Sequence, residues 1–168
     1  MAYLLDANVL IQANRFHYAF DICPGFWDWI EAQHAGGKVL SVAQVGRELG
    51  AGNDRLADWA AERGALFPEP DAATVRSMAA VSQWVTQQGY EPAAINTFLQ
   101  VADYYLVATA HAHGHTVVTQ EKPDGALRRV KIPNVCVGLG IRFMNPFEML
   151  RLERARFVLG AAGAGGAR

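Results

Sequence analysis

A chain of 168 residues, 51% apolar and 18% charged, can bury one substantial core and is short enough for a single domain. It contains no run of 18 apolar residues, and Asp6 interrupts the apolar amino terminus; both features argue against a membrane span or signal peptide and for a cytoplasmic protein. A formal net charge of −1 gives no global field for nucleic acid, so any such binding must come from local basic patches.

In chain order, Tyr3, Leu4 and Leu5 predict a strand over residues 2–6, and Val9, Leu10 and Ile11 a helix after it. Residues 24–34 set Phe26, Trp29, Ile30 and Gln33 at helical spacing behind Pro24, a residue suited to a helix entry. A second strand is expected over 38–41, following Gly36 and Gly37, and a helix over 42–49, closed by Gly50 or Gly52. Helices over 54–63 and 72–88 should stop at Gly64 and Gly89, and one over 98–113 at Gly114. Strands over 116–119 and 134–137 and a helix over 146–159 complete the pattern. Residues 160–168, only Gly, Ala and one Arg, read as a flexible tail beyond a domain of residues 1–159. Alternating strands and helices without a linker or repeat predict a parallel α/β sheet.

In such sheets the ligand crevice lies outside the carboxyl ends of the strands. Asp6 ends the first strand, and Glu121 follows the strand ending at Thr119. Asp103 opens a helix that runs back against the next strand, so it starts at the same edge. Glu48 lies about two turns into the helix after the second strand, roughly 10 Å along its axis. An unpaired buried carboxylate is costly, and four together repel one another unless a cation neutralises them. Mg²⁺ or Mn²⁺ suits an all-carboxylate set, because no Cys or His ligands compete for a softer metal.

Leu4-Leu5-Asp6-Ala7-Asn8-Val9-Leu10-Ile11, Ser41 with Arg47-Glu48-Leu49, Ala102-Asp103 with Leu106-Val107-Ala108, and Val118-Thr119-Gln120-Glu121 resemble the four ordered motifs of PIN-domain ribonucleases. The resemblance spans about residues 2–150 and is to a less characterised branch of the toxin-type, VapC-like proteins. It implies a Rossmann-like three-layer α/β/α fold around a central parallel sheet of four to five strands. It also implies one or two Mg²⁺ or Mn²⁺ ions on Asp6, Glu48, Asp103 and Glu121, and cleavage of RNA. A cognate antitoxin and a homodimer are the partners it suggests. The fourth acid departs from the family's usual Asp: Glu121 has a longer reach, and Asp124 is the alternative.

Other residues weigh in less. Asn8 suits a turn or a contact with phosphate, Arg15 and Lys122 are placed to reach phosphate at the crevice rim, and Arg128, Arg129 and Lys131 are further cations. Thr119 and Ser41, at strand ends, suit ligand orientation or structural hydrogen bonds. The His111, His113, His115 run lies at the far end of its helix from Asp103 and reads as structural rather than as a zinc site. Trp27, Trp29, Trp59 and Trp84 read as packing anchors, while His17 and Tyr18 are the candidates for touching a base. Arg151, Arg154 and Arg156 read as a solvated face, and Cys23 and Cys136, lacking metal spacing, as reduced thiols. The expected function is a metal-dependent endoribonuclease, the toxin of a toxin–antitoxin pair. The alternatives are a catalytically inactive PIN-like binding module, a metal-dependent phosphohydrolase or a DNA nuclease. The phosphohydrolase wants a second Asp two residues after the first, where this chain has Asn8.

Overall fold

Leu4 and Leu5 are sealed from solvent on both faces of β1 (Tyr3–Leu5), as expected of a strand with a parallel neighbour on each side. In the computed structural model, which describes residues 1–160, β1 lies between β2 (Val39–Leu40) and β3 (Thr116–Val118), and β4 (Phe143–Met144) completes the sheet beyond β3. The order is β2-β1-β3-β4 and every pairing is parallel; Tyr3 faces Val39 on one side and Thr116 on the other, and Val117 faces Phe143. The chain leaves β1 toward β2 on one flank and leaves β3 toward β4 on the other. The carboxyl ends of β1 and β3 therefore form the topological switch point, where open α/β sheets bind ligands.

Nine helices fill the described connections: α1 (Ala7–Arg15), α2 (Pro24–Ala35), α3 (Ala43–Gly50), α4 (Arg55–Ala61), α5 (Ala72–Thr86), α6 (Pro92–Phe98), α7 (Ala102–His113), α8 (Ile132–Leu139) and α9 (Pro146–Leu152). Helices α1, α3 and α4 pack on one another, as do α5, α7 and α8, giving a three-layer α/β/α arrangement. One contiguous cluster that includes Leu5, Leu10, Ile30, Leu106, Val117 and Ile132 forms the core. No helix among the described residues is long and apolar enough to cross a membrane.

Three expectations need correction. The strand expected over 134–137 is instead helix α8, and the fourth strand is Phe143–Met144. A short apolar run fits a buried helix as well as a strand, and Pro133 in the first turn and Gly140 at φ +67° mark the helix ends. The helix expected over 98–113 is broken: α6 begins at Pro92 and ends at Phe98, and α7 starts at Ala102. The last helix, opened by an Asn145–Glu148 capping box, stops at Leu152 rather than 159, and Arg154 follows at φ +54°. Of the expected tail, residues 161–168 lie outside the described residues. Both cysteines are free thiols, and burial pushes Cys136 up to about 12, which removes it from thiolate chemistry at neutral pH.

Candidate active site

Asp6 stands one residue past β1 with only 3% of its surface exposed. Thr119, one residue past β3 and 1% exposed, donates its hydroxyl to Asp6 Oδ2 at 2.8 Å. The Thr119 oxygen in turn accepts the Glu121 backbone N–H at 3.1 Å. The parallel register of β1 and β3 thus ties three motif residues into one chain of hydrogen bonds across the switch point. Burial nevertheless pushes Asp6 up to about 6; the Thr119 hydroxyl opposes this, the Glu121 charge adds to it, the Asn8 amide opposes and the Glu48 charge adds.

Asp103, in the first turn of α7, is pushed up to about 7, chiefly by burial and then by the charges of Asp6, Glu121 and Glu48, with Arg129 opposing. Glu48 is exposed on α3, yet its charge is felt at both buried acids. The four carboxylates expected to converge are thus within electrostatic reach at one end of the sheet. Asp124 is not among the charges that chiefly raise Asp6 and Asp103: it is exposed, pairs with Lys131 and accepts the Ala126 N–H at 2.8 Å. Glu121 is the acid that faces the cluster, and it also has structural work. Its side chain is 11% exposed, Oε1 meets the Arg129 guanidinium at 2.5 Å, and Oε2 accepts the Ile132 N–H at 3.0 Å at the start of α8.

A cleft of about 830 Å³ opens beside this cluster and is lined by two of the four acids; Asp6 and Glu121 do not line it. Glu48 and Asp103 line it together with Asn8, Gln44 and three cations, Arg47, Arg128 and Arg129; Thr97, Phe98 and Gln100, from the corner between α6 and α7, form another part of its wall. The donor set is hard oxygen, as a divalent cation prefers. The carboxylates are not drawn into a finished coordination shell: among the described residues, no three His, Cys, Asp or Glu side chains stand close enough to hold an ion.

The weaker candidates separate. Asn8 is exposed at the cleft. Thr119 is too buried to meet a substrate and instead positions Asp6. Arg15 ends the nine-residue α1, about 13 Å along the axis from the acids, and does not line the cleft. Lys122 borders a different groove with Phe16, His17, Tyr18 and Phe147. Tyr18 stacks on Phe26 at 4.6 Å, and Trp27 and Trp59 are buried edge to face at 5.0 Å. Ser41 donates to the Leu5 carbonyl at 2.7 Å. The three histidines serve separate partners: His111 the Ser77 hydroxyl, His113 the Asp71 carboxylate, and His115 the Ala2 N–H. Gln44 carries no motif signal of its own, yet it precedes Glu48 by one helical turn and so shares its face, while Arg47 comes to the cleft from within the Arg47-Glu48-Leu49 motif. The α6–α7 corner is created by the break after Phe98, which an uninterrupted helix over 98–113 does not contain.

Among curated proteins, none matches this chain. Its fold is similar to that of FitAcB from Neisseria gonorrhoeae, with a TM-score of 0.54 and 21% identity over 86% of this chain and 98% of that one. A structure of FitAB bound to an IR36 DNA fragment gives 0.52 and 19% over 86% and 95%. VapBC2 from Rickettsia felis, bound to a DNA fragment from its promoter, gives 0.52 and 14% over 86% and 98%. These likenesses establish the shared fold. A family's sequence pattern covers nearly the whole described chain, residues 3–157, and the protein accordingly belongs to the family described as Domain of unknown function (DUF4411).

Proposed function

We propose that this chain is a metal-dependent endoribonuclease, the toxin of a toxin–antitoxin pair acting in the cytoplasm. The observation that carries the reading is the charge state of the switch point: four carboxylates lie within electrostatic reach of one another there, with Asp6 pushed up to about 6 and Asp103 to about 7. Burial raises both and the neighbouring carboxylates add to it, and acids so perturbed beside a cleft are a marker of function. Asp6, Glu48 and Asp103 would hold one or two Mg²⁺ or Mn²⁺ ions, joined by Glu121 when its carboxylate turns from Arg129. A cation bound there supplies neutralisation of the acids, activation of water and polarisation of a phosphodiester.

The chain's own residues do the rest. Thr119 fixes the orientation of Asp6. Arg128 and Arg129, with Arg47, offer guanidinium groups to the phosphates of a bound strand, and Asn8 offers an amide. The fold shared with FitAcB, FitAB and VapBC2 supports an antitoxin partner and a homodimer, in line with the VapC-like motifs. A neighbouring reading frame encoding a small DNA-binding protein would strengthen the toxin assignment; its absence would weaken that assignment alone.

The test is cleavage. With Mn²⁺ or Mg²⁺ the protein should cut RNA internally, stop in a chelator, and leave p-nitrophenyl phosphate intact. Phosphate release from the monoester without RNA cleavage would replace the reading by a phosphohydrolase. A second reading, an inactive binding module, draws on one observation: both Glu121 oxygens are already engaged, by Arg129 and Ile132. Tight RNA binding without cleavage under either metal would favour it.

A further inference from the structure

Gln44 lines the acidic cleft, and its side-chain oxygen is buried with no hydrogen-bond partner among the described residues. It is the one buried side-chain polar atom among the described residues in that condition. Buried acceptors are almost always satisfied, so an orphan calls for an explanation. The oxygen is not needed by the fold, because nothing donates to it, and the last torsion of a Gln side chain is broad enough to turn it into the cleft. What it lacks is a donor. Phosphate carries none at neutral pH, so the backbone charges of a nucleic acid cannot satisfy it.

Location narrows the choice further. Gln44 and Glu48 are one turn apart on α3, which sets their Cβ atoms about 5–6 Å from each other on one face. A group bound by Gln44 therefore lies beside the phosphate held at the acids, where a nucleic-acid chain has its sugar rather than its base. We propose that Gln44 reads the ribose: its oxygen accepts a hydrogen bond from the 2′-hydroxyl beside the bound phosphate, so the cleft distinguishes RNA from DNA there. This rests on the endoribonuclease reading and names the group that selects its substrate.

The experiment compares Kd values for RNA and DNA oligonucleotides of one sequence, both with hydrolysis-resistant phosphorothioate linkages, in saturating Mn²⁺, so that a phosphate can sit at the cation-neutralised acids. Wild type should bind the RNA about tenfold more tightly, the scale of one well-placed hydrogen bond. Gln44→Met keeps the length of the side chain and removes the acceptor; it should weaken RNA binding about tenfold, leave DNA binding unchanged and keep the Mn²⁺-induced rise in Tm. Equal losses for RNA and DNA, or no loss for either, would overturn the proposal. If Gln44→Met does not fold, the wild-type arm still decides: equal affinity for RNA and for the same RNA with 2′-deoxy sugars overturns it. A wild type that cleaves RNA while Gln44→Met keeps full preference sinks the ribose contact alone. A wild type that binds neither oligonucleotide and does not respond to Mn²⁺ sinks the endoribonuclease reading with it.

Discussion

Two walls meet at the strand switch point, and different forces hold them. The inner wall, Asp6 and Thr119 at the ends of β1 and β3, is almost sealed from solvent and set by strand register. The outer wall, residues 121–131, is largely exposed and held by ion pairs, Glu121 with Arg129 and Asp124 with Lys131. An ion pair with one partner out in solvent, as Arg129 is, contributes little stability, whereas a buried carboxylate keeps its position and has its proton affinity raised. The inner wall is built to hold a charge in one place.

The largest effect should come from the inner wall. Asp6→Asn should lower RNA cleavage at least about a hundredfold, measured as single-turnover rate, while its circular dichroism matches wild type. Next is pH. Asp6 and Asp103, at about 6 and about 7 against an ordinary 3.8, bind protons in the folded state that the unfolded chain has already released. Between pH 3.8 and about 7 these two groups make the metal-free protein more stable as pH falls and less stable as it rises. Denaturant melts in EDTA should show this trend, and saturating Mn²⁺ should reverse it, because the cation competes with those protons. Melts that ignore Mn²⁺ would contradict the comparison.

A smaller effect sharpens it. Thr119→Val keeps the shape but leaves Asp6 without its hydroxyl donor. It should cost about 1 kcal/mol of stability and move the acid limb of the pH–rate profile to higher pH. A uniform fall in rate with no shift of the limb would make Thr119 merely structural. At the outer wall, Glu121→Gln should reduce metal affinity modestly, and Asp124→Asn should leave it unchanged. The reverse order would move the fourth acid to Asp124.

The same division governs what the sequence discloses. Asp6 stands out because a charge inside an apolar run has no cheap resting place, and β1, β3 and the helix carrying Glu48 follow from apolar period and flanking glycines. Pairing of Glu121 with Arg129 depends on how a polar loop folds back onto α8, which no periodicity records. The segment around Val135 fails for another reason: short buried helices and strands share one apolar composition, and only Pro133 and Gly140 at its ends distinguish them. Arg15 misleads because closeness in sequence to Asp6 becomes distance along α1.

The most direct measurement is Tm against Mn²⁺ concentration for wild type and Asp6→Asn. A ligand at a hundred times its Kd stabilises the fold by about 2.7 kcal/mol, which for a chain of this size raises Tm by roughly 5–10 °C. That rise is expected in wild type and should be nearly lost in Asp6→Asn. Equal rises in both proteins, or none in either, would mean that the four carboxylates are not one metal site.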